Sequence, residues 1–217
     1  MPTTPALIVD LSNNNGGSID FRAMSRAGVF GVMHKVSEGV RFVDQLWTPR
    51  SHAARAAGLH VGGYHFARPT LGTADDQAEL FARSLGDVVR RDLHPALDLE
   101  TDDGGLTPKQ LYQWAHDFGE KFHELTGQRV MWYTGPAFIK AHKFEKIFGN
   151  GAGLWLADWG PNDGTDHGIS GADTAPWHKA TMHQFTSVGR VSGVAGRVDL
   201  NHARSRVAIL AHGRRGT

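Results

Sequence analysis

HPALDLE (His94–Glu100), TPKQLYQWAHDFGEKFHELT (Thr107–Thr126) and RVMWYTG (Arg129–Gly135) follow one another along the chain. The outer two are short and apolar, bounded by Pro and Gly, and read as strands. The middle run has helical signals at both ends: Thr107 suits the N-cap, Pro108 the first helical position, and Gly127 the stop. Its residues Leu111, Trp114, Ala115, Phe118 and Phe122 recur at spacings of three and four, which places them on one helical face. Strand, amphipathic helix and strand in that order form a right-handed crossover unit between parallel strands.

The same rhythm extends upstream. Ala6–Ser12, Val29–Ser37 and His60–Ala67 read as strands, with a helix starting near Ile19, another over Asp44–Ala57 that stops at Gly58, and a third over Ala74–Val89. A fifth helix follows Pro136. Beyond it the rhythm changes. Gly153–Trp159, Lys179–Ser187 and Val198–His202 again read as strands, but the connections Gly160–His178 and Val188–Arg197 are rich in Gly, Asp, Ser and Pro and have no helical period. A last helix from about Ala203 to Ala211 precedes a basic tail that is expected to fray. The expectation is an α/β, TIM-like barrel of (β/α)5(β)3 type: eight mainly parallel strands, with helices after the first five. A doubly wound sheet is also compatible with the pattern.

Length and composition agree with one globular unit, taken as a single domain over residues 1–217 with the barrel at about 6–212. Of the 217 residues, 40% are hydrophobic and 21% charged, which excludes a disordered chain. Lys and Arg total 23 against 22 Asp and Glu, so no basic footprint for nucleic acid exists. The absence of cysteine removes disulfides, thiolate metal sites and a cysteine nucleophile. No apolar run approaches the roughly 18 residues of a membrane span. The opening MPTTPALIVD lacks the pattern of a secretory signal.

In a barrel of this kind the strand ends at one mouth carry the site. Strand one ends in Asp10 and Ser12, and strand two in Lys35 with Glu38 just beyond. Strand three has Tyr64 and Phe66, strand four Asp98 and Glu100, and strand five Tyr133. Strand six has Asp158 and Trp159, strand seven Gln184, and strand eight Asp199 and Asn201. Asp98 and Glu100 are the sharpest pair: residues i and i+2 of a strand share a face, with Cα atoms about 6.5 Å apart. Carboxylates that close raise the proton affinity of one of them, as glycoside hydrolysis requires.

Thirteen histidines raise the question of a zinc hydrolase. No H-E-x-x-H spacing occurs, and His60, His65, His94, His183 and His202 fall on separate strands, so no metal or other cofactor is expected. The G-x-S-x-G elbow of a serine hydrolase is absent. Asn13–Gly17 (NNNGG) reads as a turn, without the remainder of a phosphate loop.

An ordered set of short motifs carries a family resemblance. They are IVDLS (Ile8–Ser12), IDF (Ile19–Phe21), HKVSEG (His34–Gly39), GYHF (Gly63–Phe66), LDLE (Leu97–Glu100), WYT (Trp132–Thr134), LWLADW (Leu154–Trp159), HQFTS (His183–Ser187) and VDLN (Val198–Asn201). Together they resemble glycoside hydrolase family 25, the lysozymes that cleave peptidoglycan as N-acetylmuramidases. Phe21, Val36-Ser37 and Trp159 depart from the residues common in that family, and no departure removes a carboxylate.

The resemblance implies hydrolysis of the β-1,4 bond between N-acetylmuramic acid and N-acetylglucosamine, with Glu100 as general acid and Asp98 orienting the substrate's own N-acetyl group. Direct carboxylate attack and inversion remain compatible with the strand spacing. Asp10 and Asp199 would complete an acidic floor, and Tyr64, Phe66, Tyr133, Trp159, Gln184, Lys35 and Asn201 would face the glycan. The expected partner is bacterial cell-wall peptidoglycan, with no nucleic acid and no membrane insertion, and the chain is expected to be a monomer. Action at the wall from a host cytoplasm, by phage-type release, fits the absence of a signal pattern, and a secreted enzyme in mature form or one domain of a longer lysin fits it equally. The rival reading is a catalytically silent glycan-binding or virion barrel.

Overall fold

A computed structural model of the chain describes residues 5–86, 92–102, 104–142, 151–169 and 174–211. Nine strands are seen among them: β1 (Ala6–Leu11), β2 (Gly31–Glu38), β3 (Phe42–Val43), β4 (His60–Phe66), β5 (Ala96–Asp98), β6 (Met131–Thr134), β7 (Leu154–Ala157), β8 (Met182–Gly189) and β9 (Val198–Ala203). The helices are α1 (Phe21–Arg26), α2 (Trp47–Ala56), α3 (Ala74–Leu85), α4 (Pro108–Thr126), α5 (Pro136–His142) and α6 (Arg206–Ile209). Strand order is β1-β9-β8-β7-β6-β5-β4-β2, and a β1–β2 pairing closes the ring. The chain folds as an α/β barrel. β3 stands outside it as a short antiparallel hairpin on β2, which the sequence reading does not anticipate.

Strands β1 to β8 of the ring run parallel, and β9 runs antiparallel to both β1 and β8. The period of two divides each strand between two cores. Ala6, Ile8, Met33, Ala96, Met131, Trp155, Met182 and Ala203 fill the barrel interior with Leu93 and Ile209. Val9, Leu11, Val32, Val61 and Leu97 point outward into a second core shared with Phe21 and Met24 of α1, Phe81 of α3 and Trp114, Phe118 and Phe122 of α4. Gly62 lets the interior close: a Cβ there would fall 2.4 Å from the Met33 sulfur.

Helix boundaries follow their caps. Thr107 and Gln110 form a reciprocal capping box on α4, and Gly127 ends it at φ 69. α1 starts at Phe21 because the Asp20 carboxylate caps Ala23 N, two residues after the expected start at Ile19. α2 starts at Trp47 rather than Asp44, because the Asp44 carboxylate accepts from Asn13 N and Leu46 N and anchors the preceding loop. α3 stops at Gly86; Val89, the expected end, lies outside the described residues. The expected helix from Ala203 is shorter. β9 continues through Ala203 to pair with Ala6 and Met182, and Ser205 then caps the single turn of α6. The basic tail lies outside the described residues.

Candidate active site

Strand parity decides what the barrel mouth contains. On β1 the inward positions are Ala6, Ile8 and Asp10, so the side chain above the apolar layer is a carboxylate. The same step up from Ala96 on β5 reaches Asp98 and then Glu100, and from Met131 on β6 it reaches Tyr133. β9 enters from the opposite direction. Its second residue, Asp199, stands in register with Asp10, while Asn201 pairs with Ile8 one layer deeper.

Asp10, Asp98, Glu100 and Asp199 line one cavity of about 180 Å³ together with Ser12, Asn14, Lys35, Tyr64, Phe66, Tyr133 and Trp155. A wider hollow of about 440 Å³ lies between α1 and α2, but alanines and Ile19 form much of its wall and it lacks paired carboxylates. Chemistry, not size, selects the mouth of the barrel. Asp10 and Asp98 are buried, at 6% exposure each, whereas Glu100 is open to solvent.

Crowding of like charges sets the proton affinities. Burial raises Asp10 well above the ordinary carboxylate range, and Asp199 and Glu100 raise it further, against hydrogen bonds from Gln184 and Tyr64. Burial likewise raises Asp98, reinforced by Glu100 and Asp10. Asp199 is pushed up to about 6 by burial and by Glu100. Partial desolvation inside the rim raises Glu100, and the cations Arg68 and Lys35 oppose that rise. Burial first, then the carboxylates, keep the Tyr64 and Tyr133 hydroxyls protonated.

One wall is a ladder of cations and rings. Arg68 lies over Phe66 at 4.6 Å, Lys35 lies over the same ring at 4.8 Å, and Lys35 also reaches Phe42 at 5.5 Å. Glu38 joins the cations, pairing with Lys35 and, through Oε1, with Arg68 Nε at 2.9 Å. Gln77 clamps the Arg68 backbone, accepting from its N–H and donating to its carbonyl. Trp159, just beyond β7, is 39% exposed and is not among the residues that line the cavity.

Two of the residues expected to face the glycan are turned away from it. Asn201 is fully buried, accepting from Trp155 Nε1 at 2.7 Å and donating to the Ile8 carbonyl, because β9 runs downward from the mouth. Gln184 is buried beneath the cavity and does not line it. Asp158 is half-buried at the rim, where its backbone carbonyl accepts from His183. Ser12, already placed at the end of strand one, lines the cavity as well, and Asn14, Trp155 and Arg68 extend the expected set. Ser12 and Trp155 have inward parity, a signal legible in the strand pattern. Asn14 and Arg68 sit in loops, where no period indicates direction. Arg50 holds the loop of Asn14 in place, with Nη1 on the Ser12 carbonyl at 2.9 Å and Nη2 on the Asn15 carbonyl at 2.6 Å.

The histidines serve other ends. His65 is buried between Phe81 and Phe118, bonded to Ser37 and Gln77, and burial lowers it to about 4, so it is neutral at pH 7. Among the described residues no group of three potential ligands is placed to hold a metal ion. Also among them, no helix is long and apolar enough to cross a membrane.

Comparison with known proteins follows the same line. The sequence model described as "Glycosyl hydrolases family 25" matches residues 9–194. Lysozyme M1 of Streptomyces globisporus is 31% identical over 207 residues, covering 89% of this chain and 66% of that protein. The N,O-diacetylmuramidase of Arthroderma benhamiae is 30% identical over 178 residues, covering 77% of this chain and 74% of the other. The chain thus spans about two thirds of the length of these relatives. The crystal structure of a bacterial lysozyme from Streptomyces coelicolor superposes with a TM-score of 0.84 at 28% identity, over 97% of this chain and 98% of that one.

Proposed function

The chain belongs to glycosyl hydrolases family 25 and is a peptidoglycan-cleaving glycosidase, and we propose that it hydrolyses the β-1,4 bond between N-acetylmuramic acid and N-acetylglucosamine with Glu100 as its general acid. The convergence of Asp10, Asp98, Glu100 and Asp199 on one cavity is the observation that carries this reading.

Glu100 is the solvent-open member, and its raised proton affinity suits a group that must donate to the glycosidic oxygen. Asp98 lies one inward step below. Its buried Oδ1 has no hydrogen-bond partner in the protein. An acetamido N–H would supply that partner and favour the ionised form. The sequence then runs as follows. Glu100 protonates the leaving oxygen as the bond to the anomeric carbon breaks. The substrate's acetamido oxygen attacks the anomeric carbon, and Asp98 stabilises the resulting oxazolinium. Glu100, now a carboxylate, takes a proton from water, which attacks the same carbon and reopens the ring with retained configuration.

Asp10 and Asp199 keep the floor acidic and oriented, while Tyr64, Phe66, Tyr133 and Trp159 offer faces on which sugar rings stack. All four carboxylates come from a single chain, which supports a monomer as the working unit. The site of action is the bacterial cell wall.

The test is release of reducing ends from purified cell walls by the native chain and by Glu100→Gln, with EDTA present in one arm. New reducing ends without new amino groups, insensitive to EDTA and lost in Glu100→Gln, are expected. Equal clearing by both proteins would overturn the role of Glu100, and new amino groups would indicate amide cleavage instead.

A further inference from the structure

Gln184 on β8 is 1% exposed and bridges three side chains of the site. Its Oε1 accepts from Trp159 Nε1 at 2.8 Å and from the Tyr133 hydroxyl at 3.0 Å. Its Nε2 donates to Asp10 Oδ2 at 2.9 Å. Chemistry decides which way the amide points. An indole N–H only donates, so the amide oxygen must face Trp159 and the nitrogen must face Asp10. Both lone pairs of that oxygen are then taken, and a sugar hydroxyl finds no acceptor left on it.

Trp159 differs in one respect: its ring is open at the rim while its N–H is tied inward. An exposed ring beside the site is thus joined to the acidic floor through a single buried amide.

We propose that Gln184 is a positioning residue that couples the exposed ring of Trp159 to the carboxylate of Asp10. The proposal rests on the muramidase reading for the identity of the sugar, but the coupling itself is a property of the free protein. N–H donation favours ionised Asp10, and it works against every other group facing that carboxylate except Tyr64. Those opposing groups are Asp199 on β9, Glu100 beyond β5, and burial itself. Asp98 on β5, Tyr64 on β4 and Tyr133 on β6 complete the surroundings. Tyr64 supplies the remaining donor. Removing the amide leaves Asp10 with one donor and frees the Trp159 indole to turn.

Three variants separate coupling from packing. Gln184→Leu removes all three hydrogen bonds at similar volume, Trp159→Phe keeps a ring but deletes the N–H, and the double variant combines them. Two readouts apply: kcat and KM for reducing-end release from soluble glycan strands across pH, and titration of the Asp10 side-chain carboxyl by 13C NMR. For Gln184→Leu, KM rises about tenfold, and both the acid limb of kcat/KM and the Asp10 titration move up by about one pH unit. Trp159→Phe shifts both in the same direction by less, and the double variant shifts no further than Gln184→Leu.

A lower melting temperature with an unmoved acid limb and an unmoved Asp10 titration would overturn the proposal, leaving Gln184 as packing. So would additive shifts in the double variant. If Gln184→Leu does not fold, Trp159→Phe alone decides. If the native chain releases no reducing ends, the muramidase reading fails, and the NMR titration still decides the coupling.

Discussion

Asp10 and Asp199 stand opposite one another in register on the antiparallel pair β1 and β9, and the charge of Asp199 raises the proton affinity of buried Asp10. Two carboxylates facing each other at the closing seam of a barrel are poorly placed for stability. That arrangement, with Asp98 and Glu100 beside it, makes several consequences measurable.

The first concerns pH. Asp199 titrates at about 6 in the folded chain, above its ordinary 3.8, so the native state holds a proton that the unfolded chain releases. Its contribution therefore falls as pH rises through that window. His65 does the reverse: lowered from 6.5 to about 4, it stays neutral in the native state where the unfolded chain takes up a proton, so its contribution rises with pH. The two oppose each other over nearly the same range. Asp199→Asn removes the first, relieves Asp10 in the same direction and leaves His65 untouched, so its melting temperature relative to the native chain should climb between pH 4 and 6.5. A difference constant with pH would refute the assignment.

Glu100→Gln should lower kcat by about two to four orders of magnitude, the scale for loss of a general acid. Glu100 is exposed, but its charge also crowds Asp10, Asp98 and Asp199, so at pH 7 the variant's melting temperature should equal the native value or exceed it by a few degrees. Single-turnover kinetics with soluble glycan strands check the first point and a thermal melt the second.

Asp98→Asn keeps the shape and deletes a buried like charge. Activity should fall at least a hundredfold, as for loss of a group acting in the transition state. Stability at pH 7 should increase by about 1 kcal/mol, or roughly 2–4 °C for a chain of this size. Parallel melts and rate assays on one preparation test this inverse relation, which a uniform loss of both would contradict.

Arg50→Lys keeps the charge but cannot span the carbonyls of Ser12, Asn15 and Gly17 that the guanidinium fork reaches. A loss of about 1–3 kcal/mol in urea unfolding is expected. KM should rise as Asn14 loses its support, with kcat little changed.

Thr107→Ala breaks the capping box of α4, far in character from the site, and should cost about 1 kcal/mol with kcat/KM unaltered. It serves as the control for stability changes that do not touch chemistry.

Much of this molecule is legible in its linear pattern because the relevant physics is local. The spacing of Leu111, Trp114, Ala115, Phe118 and Phe122 turns these residues to one helical face, and the signals at Thr107, Pro108 and Gly127 bound that helix as the structure has it. Inward parity on β1, β5 and β6 places Asp10, Asp98, Glu100 and Tyr133 at the mouth. Asp44 and Ala203 were harder: each satisfies its neighbourhood through partners distant in the chain, Asn13 in one case and β1 with β8 in the other.

Local pattern was enough for the eight ring strands, for the order of helices between them and for which residues on each strand share a face, since backbone geometry converts spacing directly into direction; the hairpin strand β3 escaped it. Long-range pairing settled the rest: the ring closes through β1, β2 and β9, β9 enters reversed so that Asn201 sinks while Asp199 stays at the rim, and Gln184 is bound to protein. Those outcomes depend on pairings between residues as far apart as Asp10 and Gln184. The energy of such a pairing resides in neither partner's local sequence, and it exists only once the chain has brought the two together.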